Sequence, residues 1–220
     1  MRKKQICRGC IYILGLLVLA LGITLNTKTN LGVSPLISVP YSVAYICDSN
    51  FGNMTFLWYG VFVLVEVICH IATKRYRSIP ADLLQLPLSM VFTRFMNLFS
   101  DLIPVMTGNL IPRIVLLLVA ITLTGLGIVF TLVVRLIPNP GDGIVQALAD
   151  CSGKKVSMVK NCLDGFCVVL TIIISMIFAG KVVGIGIGTI LAVIGTGRVV
   201  AVFNKLWKEK LSAACGVEQK

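Results

Sequence analysis

Nine carboxylates and twenty lysines and arginines are spread over 220 residues, so each charge inside an apolar stretch needs a reason. Asp142 is the most informative of them. It stands between Gly141 and Gly143, where bare backbone leaves a carboxylate open to approach. It follows Asn139 and Pro140, a helix start in which the amide caps and the missing proline N–H costs nothing. An acid so placed either satisfies the free N–H groups of its own helix or carries a proton, a cation or a substrate amine. Ser34 and Pro35 form a similar start earlier in the chain. Lys160 and Asp164 lie four apart, face one another on a helix, and read either as an internally neutralised pair or as a coupling site. Gln85 and Ser89, one turn apart beside Pro87, could line a cavity or bind helices together. Glu66 lies a turn or so from the cytoplasmic end of the second span, and reads either as an acid snorkelling toward Lys74 or Arg75 or as a functional group.

Other chemistries lack their residues. His70 is the sole histidine, and of eight cysteines only Cys7 and Cys10 are closely spaced, with no second pair. No metal site and no cofactor is expected, and the cysteines read as small packing groups. No nucleophile accompanies a base, so an enzyme is not expected. The run Gly184, Gly186, Gly188 lacks the Lys-Ser or Lys-Thr of a phosphate loop. With Gly184 and Gly188 four apart, it reads as a small-residue packing face opening the last span.

The elements that must position these groups are membrane helices. Hydrophobic residues make up 57% and charged ones 13%, and the mean hydropathy is +0.95, far from the composition of a soluble domain. Six stretches reach the ~20 residues a bilayer crossing needs: roughly 9–29, 54–72, 79–103, 110–134, 157–179 and 182–204. The first follows Met1, Arg2, Lys3 and Lys4, but no cleavage site follows it, so it is expected to stay as a span rather than leave as a signal peptide. The net charge of +11 is a topology signal. With the N-terminus cytoplasmic, fifteen of the twenty basic residues fall on or near the cytoplasmic side, among them Arg8, Arg135, Lys205, Lys208, Lys210 and Lys220, as the positive-inside rule requires. No nucleic-acid partner is implied.

The chain also repeats itself. Gly22, Ile23, Leu31, Pro35, Gly60 and Val63 recur 105 residues on as Gly127, Ile128, Leu136, Pro140, Gly165 and Val168. After a one-residue slip, Arg94, Phe99 and Leu102 recur as Arg198, Phe203 and Leu206. Each half then holds three spans and a short apolar segment broken by Gly and Pro, too short to cross. The expected organisation is residues 1–105 with a re-entrant helix at 32–47, residues 106–208 with one at 139–152, and a cytoplasmic tail at 209–220. An odd number of spans repeated in one chain gives an inverted repeat. The competing topology makes both short segments full spans. It gives eight crossings and parallel repeats, and puts Lys74 and Lys154 on different sides.

Asn30 to Tyr41, Gln85 to Ser89, Pro140 to Val145, and Lys160 with Asp164 together resemble the YitT/YczE type of bacterial integral membrane protein, over most of the length. The resemblance implies a place in the bacterial cytoplasmic membrane and supplies no substrate. Members also tend to carry an acid before the Gly-Thr of the last span, where this chain has Ile187 before Gly188 and Thr189.

The reading is an all-α polytopic protein with six spans, two re-entrant helices and both termini cytoplasmic, working as a secondary transporter of a small solute by alternating access between the inverted repeats. Ser34, Pro35, Asn139, Gly141, Asp142 and Gln85 would bind the solute. Two helix N-termini favour an anionic group on it. Asp142, Asp164 and Lys160 would couple. Arg94 and Arg198 would be either symmetric gates or headgroup anchors. The alternatives are a solute-binding or scaffolding subunit working with a partner, and a passive channel. Homo-oligomerisation stays open.

Overall fold

The computed structural model describes residues 2–215, and no strand occurs among them. Eight helices follow in order: α1 (Arg2–Lys28), α2 (Pro35–Ile46), α3 (Phe51–Ala72), α4 (Ile79–Leu102), α5 (Leu110–Val133), α6 (Pro140–Ser152), α7 (Val156–Ala179) and α8 (Ile187–Cys215), with one 3-10 turn at Tyr76–Ser78. Five segments are long and apolar enough to cross a bilayer: Gln5–Lys28, Phe51–Ala72, Leu110–Val133, Val156–Ala179 and Ile187–Trp207. Their outward faces carry exposed apolar side chains such as Ile13, Leu57, Leu64, Val119, Ile177 and Phe178. The protein is a polytopic all-α membrane protein. Helix α4 has 24 residues, but Asp82, Gln85, Arg94 and Asn97 dilute its apolar character.

The short helices begin at their prolines. Pro35 opens α2 after Ser34, and Pro140 opens α6 after Asn139, whose side chain accepts from the Gly141 N–H. Pro40 lies inside α2 and leaves the carbonyl four residues back without its helical donor. The Trp58 indole fills that vacancy, donating to Leu36 O at 3.1 Å. At twelve and thirteen residues, α2 and α6 reach about 18–20 Å at 1.5 Å per residue.

Helices α1 and α5 pack antiparallel at close range. A Cβ on Gly22 would lie 2.5 Å from Thr124 N, and one on Gly127 would lie 2.6 Å from Leu19 N. At one end Arg8 donates to Val134 O (2.6 Å) and Arg135 O (2.7 Å); at the other Arg113 donates to Thr29 O (2.8 Å) and Asn30 O (2.5 Å). Asn30 and Arg135 both have positive φ, 52° and 47°. Each arginine therefore covers the open carbonyls at the left-handed end of the other helix. The short helices cross over between halves: α2 lies on α7 through Ser38–Thr171 and Ser42–Ser175 hydroxyl bonds, each 2.7 Å, and α6 lies on α3. Helix α4 packs on α3 and α1, and α8 packs on α5. Helices α7 and α8 make no comparable contact.

One expectation changes here. The last helix starts at Ile187, not near 182, because the glycine run is a loop. Gly184 has φ +81° and its carbonyl accepts from Val33 N (2.8 Å), while Gly188 N donates to Leu31 O (2.7 Å). Gly184 and Gly188 thus approach the backbone after α1 and form no helix-packing stripe. Helix α8 continues to Cys215, so the chain after residue 208 prolongs a helix; Lys220 and the end of the expected tail lie outside the described residues, as does Met1.

Candidate functional site

A cavity of about 390 Å³ opens where α7 and α8 stand apart. The start of α2 gives it Ser34, Pro35 and Leu36; the start of α6 gives it Asn139, Gly141 and Asp142; and α7 gives it Ser157, Lys160, Asn161 and Asp164. The two helix starts meet there, since a Cβ on Gly141 would lie 3.6 Å from Leu36 Cδ1. Much of the remaining wall is apolar, with Leu19 and Ile23 of α1, Ile128 and Leu132 of α5, and Ala192, Val193 and Val200 of α8. Thr124, Thr196 and Tyr59 add polar edges.

Lys160 Nζ donates to both carboxylate oxygens of Asp164, at 2.8 and 2.9 Å. The lysine side chain is 39% exposed and the aspartate 10%. Asp142 is different. The free N–H groups at the start of α6 are taken by Asn139, whose side chain holds Gly141 N while its carbonyl holds Asp142 N and Gly143 N. No side-chain hydrogen bond or ion pair holds the Asp142 carboxylate among the described residues, so it is left to the cavity. Two carboxylates and one ammonium line the same space, giving it a formal charge of −1 when all are ionised. It can take a small, partly apolar solute whose polar end meets these groups.

Not every expected residue is there. Gln85 does not line this cavity; its Nε2 donates to Glu66 Oε2 at 2.6 Å. Glu66 does not snorkel. It is 1% exposed, because α6 covers it: a Cβ on Gly143 would come 2.7 Å from its Oε2. Arg94 is exposed and donates to Asn53 Oδ1 at 3.1 Å; Arg198 is also exposed, and neither lines the cavity.

The model of a family of unknown function, DUF6198, matches residues 6–205. The chain belongs to that family. The chain is similar to the uncharacterized membrane protein YczE of Bacillus subtilis (strain 168), 26% identical over 204 residues that cover 91% of this chain and 86% of the relative. It is also similar to the uncharacterized protein YyaS of the same organism, 24% identical over 194 residues, covering 87% and 90%. The resemblance to the YczE type therefore holds. No solved structure matches significantly.

Sequence reasoning missed a second polar group in this DUF6198 chain, between α3 and α4. Beside Glu66 and Gln85, His70 Nδ1 and Asp82 Oδ2 are 2.6 Å apart, both largely buried. The signal was present in the spacing: Glu66 and His70 are four apart, Asp82 and Gln85 three apart, so each pair shares one helix face. Arg8 and Arg113, 105 residues apart, were a further repeat coincidence left unread.

Proposed function

We propose that the protein is a secondary transporter of a small solute, built from six spans and two re-entrant helices in inverted halves, with α4 as the sixth span. Reciprocal contacts support the inversion. Gly22 meets Thr124 as Gly127 meets Leu19, and Arg8 meets Val134 and Arg135 as Arg113 meets Thr29 and Asn30. Every partner is displaced by the same 105 residues, so an antiparallel pair of equivalent helices contacts itself as a two-fold interface does. Antiparallel equivalents are what an inverted repeat requires.

One observation carries transport: a cavity framed by the proline-led helix starts of both halves, holding an acid that no side chain among the described residues hydrogen-bonds or pairs with directly, with Lys160 in the same space. Irregular backbone at membrane depth is tolerated where it lines such a space. In this reading Asp142 binds the solute or its coupling cation, Lys160 and Asp164 form a pair the solute can open, and no bond of the solute is made or broken. The membrane is the bacterial cytoplasmic one, with both termini inside.

Reconstituted protein in liposomes, offered a panel of labelled amino acids, amines and organic anions, should accumulate one class saturably. Asp142→Asn should abolish that uptake and leave folding intact. Unchanged uptake in Asp142→Asn would remove its role, and flux that never saturates would make the protein a channel. Orientation has its own check. Cys47 and Cys151 are both exposed, so in single-cysteine variants an impermeant maleimide added to intact cells should label Cys47 and spare Cys151.

A further inference from the structure

The α3–α4 group has a feature that the cavity does not explain. Glu66 Oε1 and Gln85 Oε1 are both buried and both lack a hydrogen-bond partner. They sit on the same two side chains that are already joined through Gln85 Nε2 and Glu66 Oε2 at 2.6 Å. Two orphaned acceptors on one joined pair point to a donor between them, since buried polar atoms almost always find partners. A protonated carboxylic acid supplies a donor. Placed on Glu66 Oε1 and given to Gln85 Oε1, a single proton would satisfy both atoms and close a two-bond ring of acid and amide.

The surroundings favour the neutral form. An isolated ionised carboxylate out of water is expensive unless a cation meets it, and among the described residues no lysine or arginine pairs with Glu66. On its own helix α3 the nearest titratable groups are Cys69 and His70; His70 is engaged with Asp82 of α4. From α6 come the Gly143 backbone and, beyond Cys69, Cys151. Asp142 of α6 lines the cavity, and Asp150 farther along α6 pairs with Arg75. From α1, Tyr12 shares a small void with Gln85.

We infer that Glu66 is a proton-binding site, separate from the solute cavity, that holds its proton through Gln85 while α3 and α4 are closed. When they part, the Oε1–H bond breaks, the proton passes to water entering from the Thr73–Ser78 side, and the Glu66 carboxylate remains. The Asp82–His70 pair lies one turn nearer that side. On the transport reading above, the coupling ion is a proton and its station is Glu66, with Gly143 joining it through α6 to the solute acid one residue away.

Infrared spectroscopy of the full chain in lipid tests the site without any solute. The wild type near neutral pH should show a carboxylic-acid carbonyl band that shifts in D₂O and is lost in Glu66→Gln, an isostere of the protonated acid that should fold normally. Asp142→Asn should keep the band. Gln85→Leu, which retains the acid and removes its partner, should keep it and raise its frequency. No such band in the wild type, a band that survives Glu66→Gln, or one abolished by Asp142→Asn overturns the inference. A missing band would leave the solute cavity standing, and failed uptake with an intact band would leave the proton site standing.

Discussion

In the inverted repeat proposed above, the seam between α3 and α4 and the seam between α7 and α8 are counterparts, yet the first is shut and the second encloses the cavity. Side chains account for the difference. On α3, Glu66 and His70 meet Gln85 and Asp82 of α4. The equivalent α7 residues, Thr171 and Ser175, turn instead to Ser38 and Ser42 of α2. Opposite them, the counterparts of Asp82 and Gln85 are Gly186, before α8 begins, and Thr189, whose hydroxyl bonds its own loop at Gly186 and Gly184. Among the described residues, side-chain polar links are made across the first seam and none across the second. On that proposal, one backbone pattern used twice holds one door closed and leaves its twin open, and a few polar positions decide which.

The largest effects should come where the halves are alike. Valine at Gly22 or at Gly127 would drive a side chain into helix backbone, and overpacking costs about 1–3 kcal/mol or more. Unfolding in mixed micelles should show both variants near the upper end and about equally destabilised; a loss in one alone would break the equivalence of the two helices. The seams should then differ. Gln85→Ala leaves the buried Glu66 without its partner and should cost about 1–3 kcal/mol. Thr171→Val removes one hydroxyl bond between membrane helices and should cost about 0.6 kcal/mol. Equal costs would mean that polar pairing does not distinguish the seams. Smallest of all is Arg75→Ala. Its bond to Asp150 ties the α3–α4 loop to α6 at a surface where the arginine is 53% exposed, so the loss should stay under about 1 kcal/mol and shrink further in high salt.

Much of this was legible before any coordinates. Hydropathy marked the long helices because each needs an uninterrupted apolar run, and Ser34-Pro35 and Asn139-Pro140 marked two helix starts through local backbone chemistry. The cavity residues from those starts and from α7 come together because the breaks and the Lys160–Asp164 spacing are local signals. Gln85 and Glu66 were harder. Each alone reads as a polar residue on an apolar helix, and only the packing of α6 over α3 turns them toward one another and away from lipid or the basic loop. The glycine run misled for a related reason: spacing four apart fits a helix face, whereas the backbone after α1 approaches so closely that Gly184 and Gly186 lie in a loop joined to it and Gly188 falls in the first turn of α8. Which seam is open could not be read at all, since it depends on contacts between segments more than a hundred residues apart.

On the transport proposal above, the two seams alternate, one open while the other is shut. Spin labels at Leu64 and Leu83, and at their equivalents Val169 and Ile187, all of them exposed, would report both in one lipid nanodisc preparation by pulsed dipolar spectroscopy. The account predicts a short, narrow distance for the first pair and a longer one for the second, with any population that shortens the second lengthening the first. Both pairs short together in a single population would contradict it.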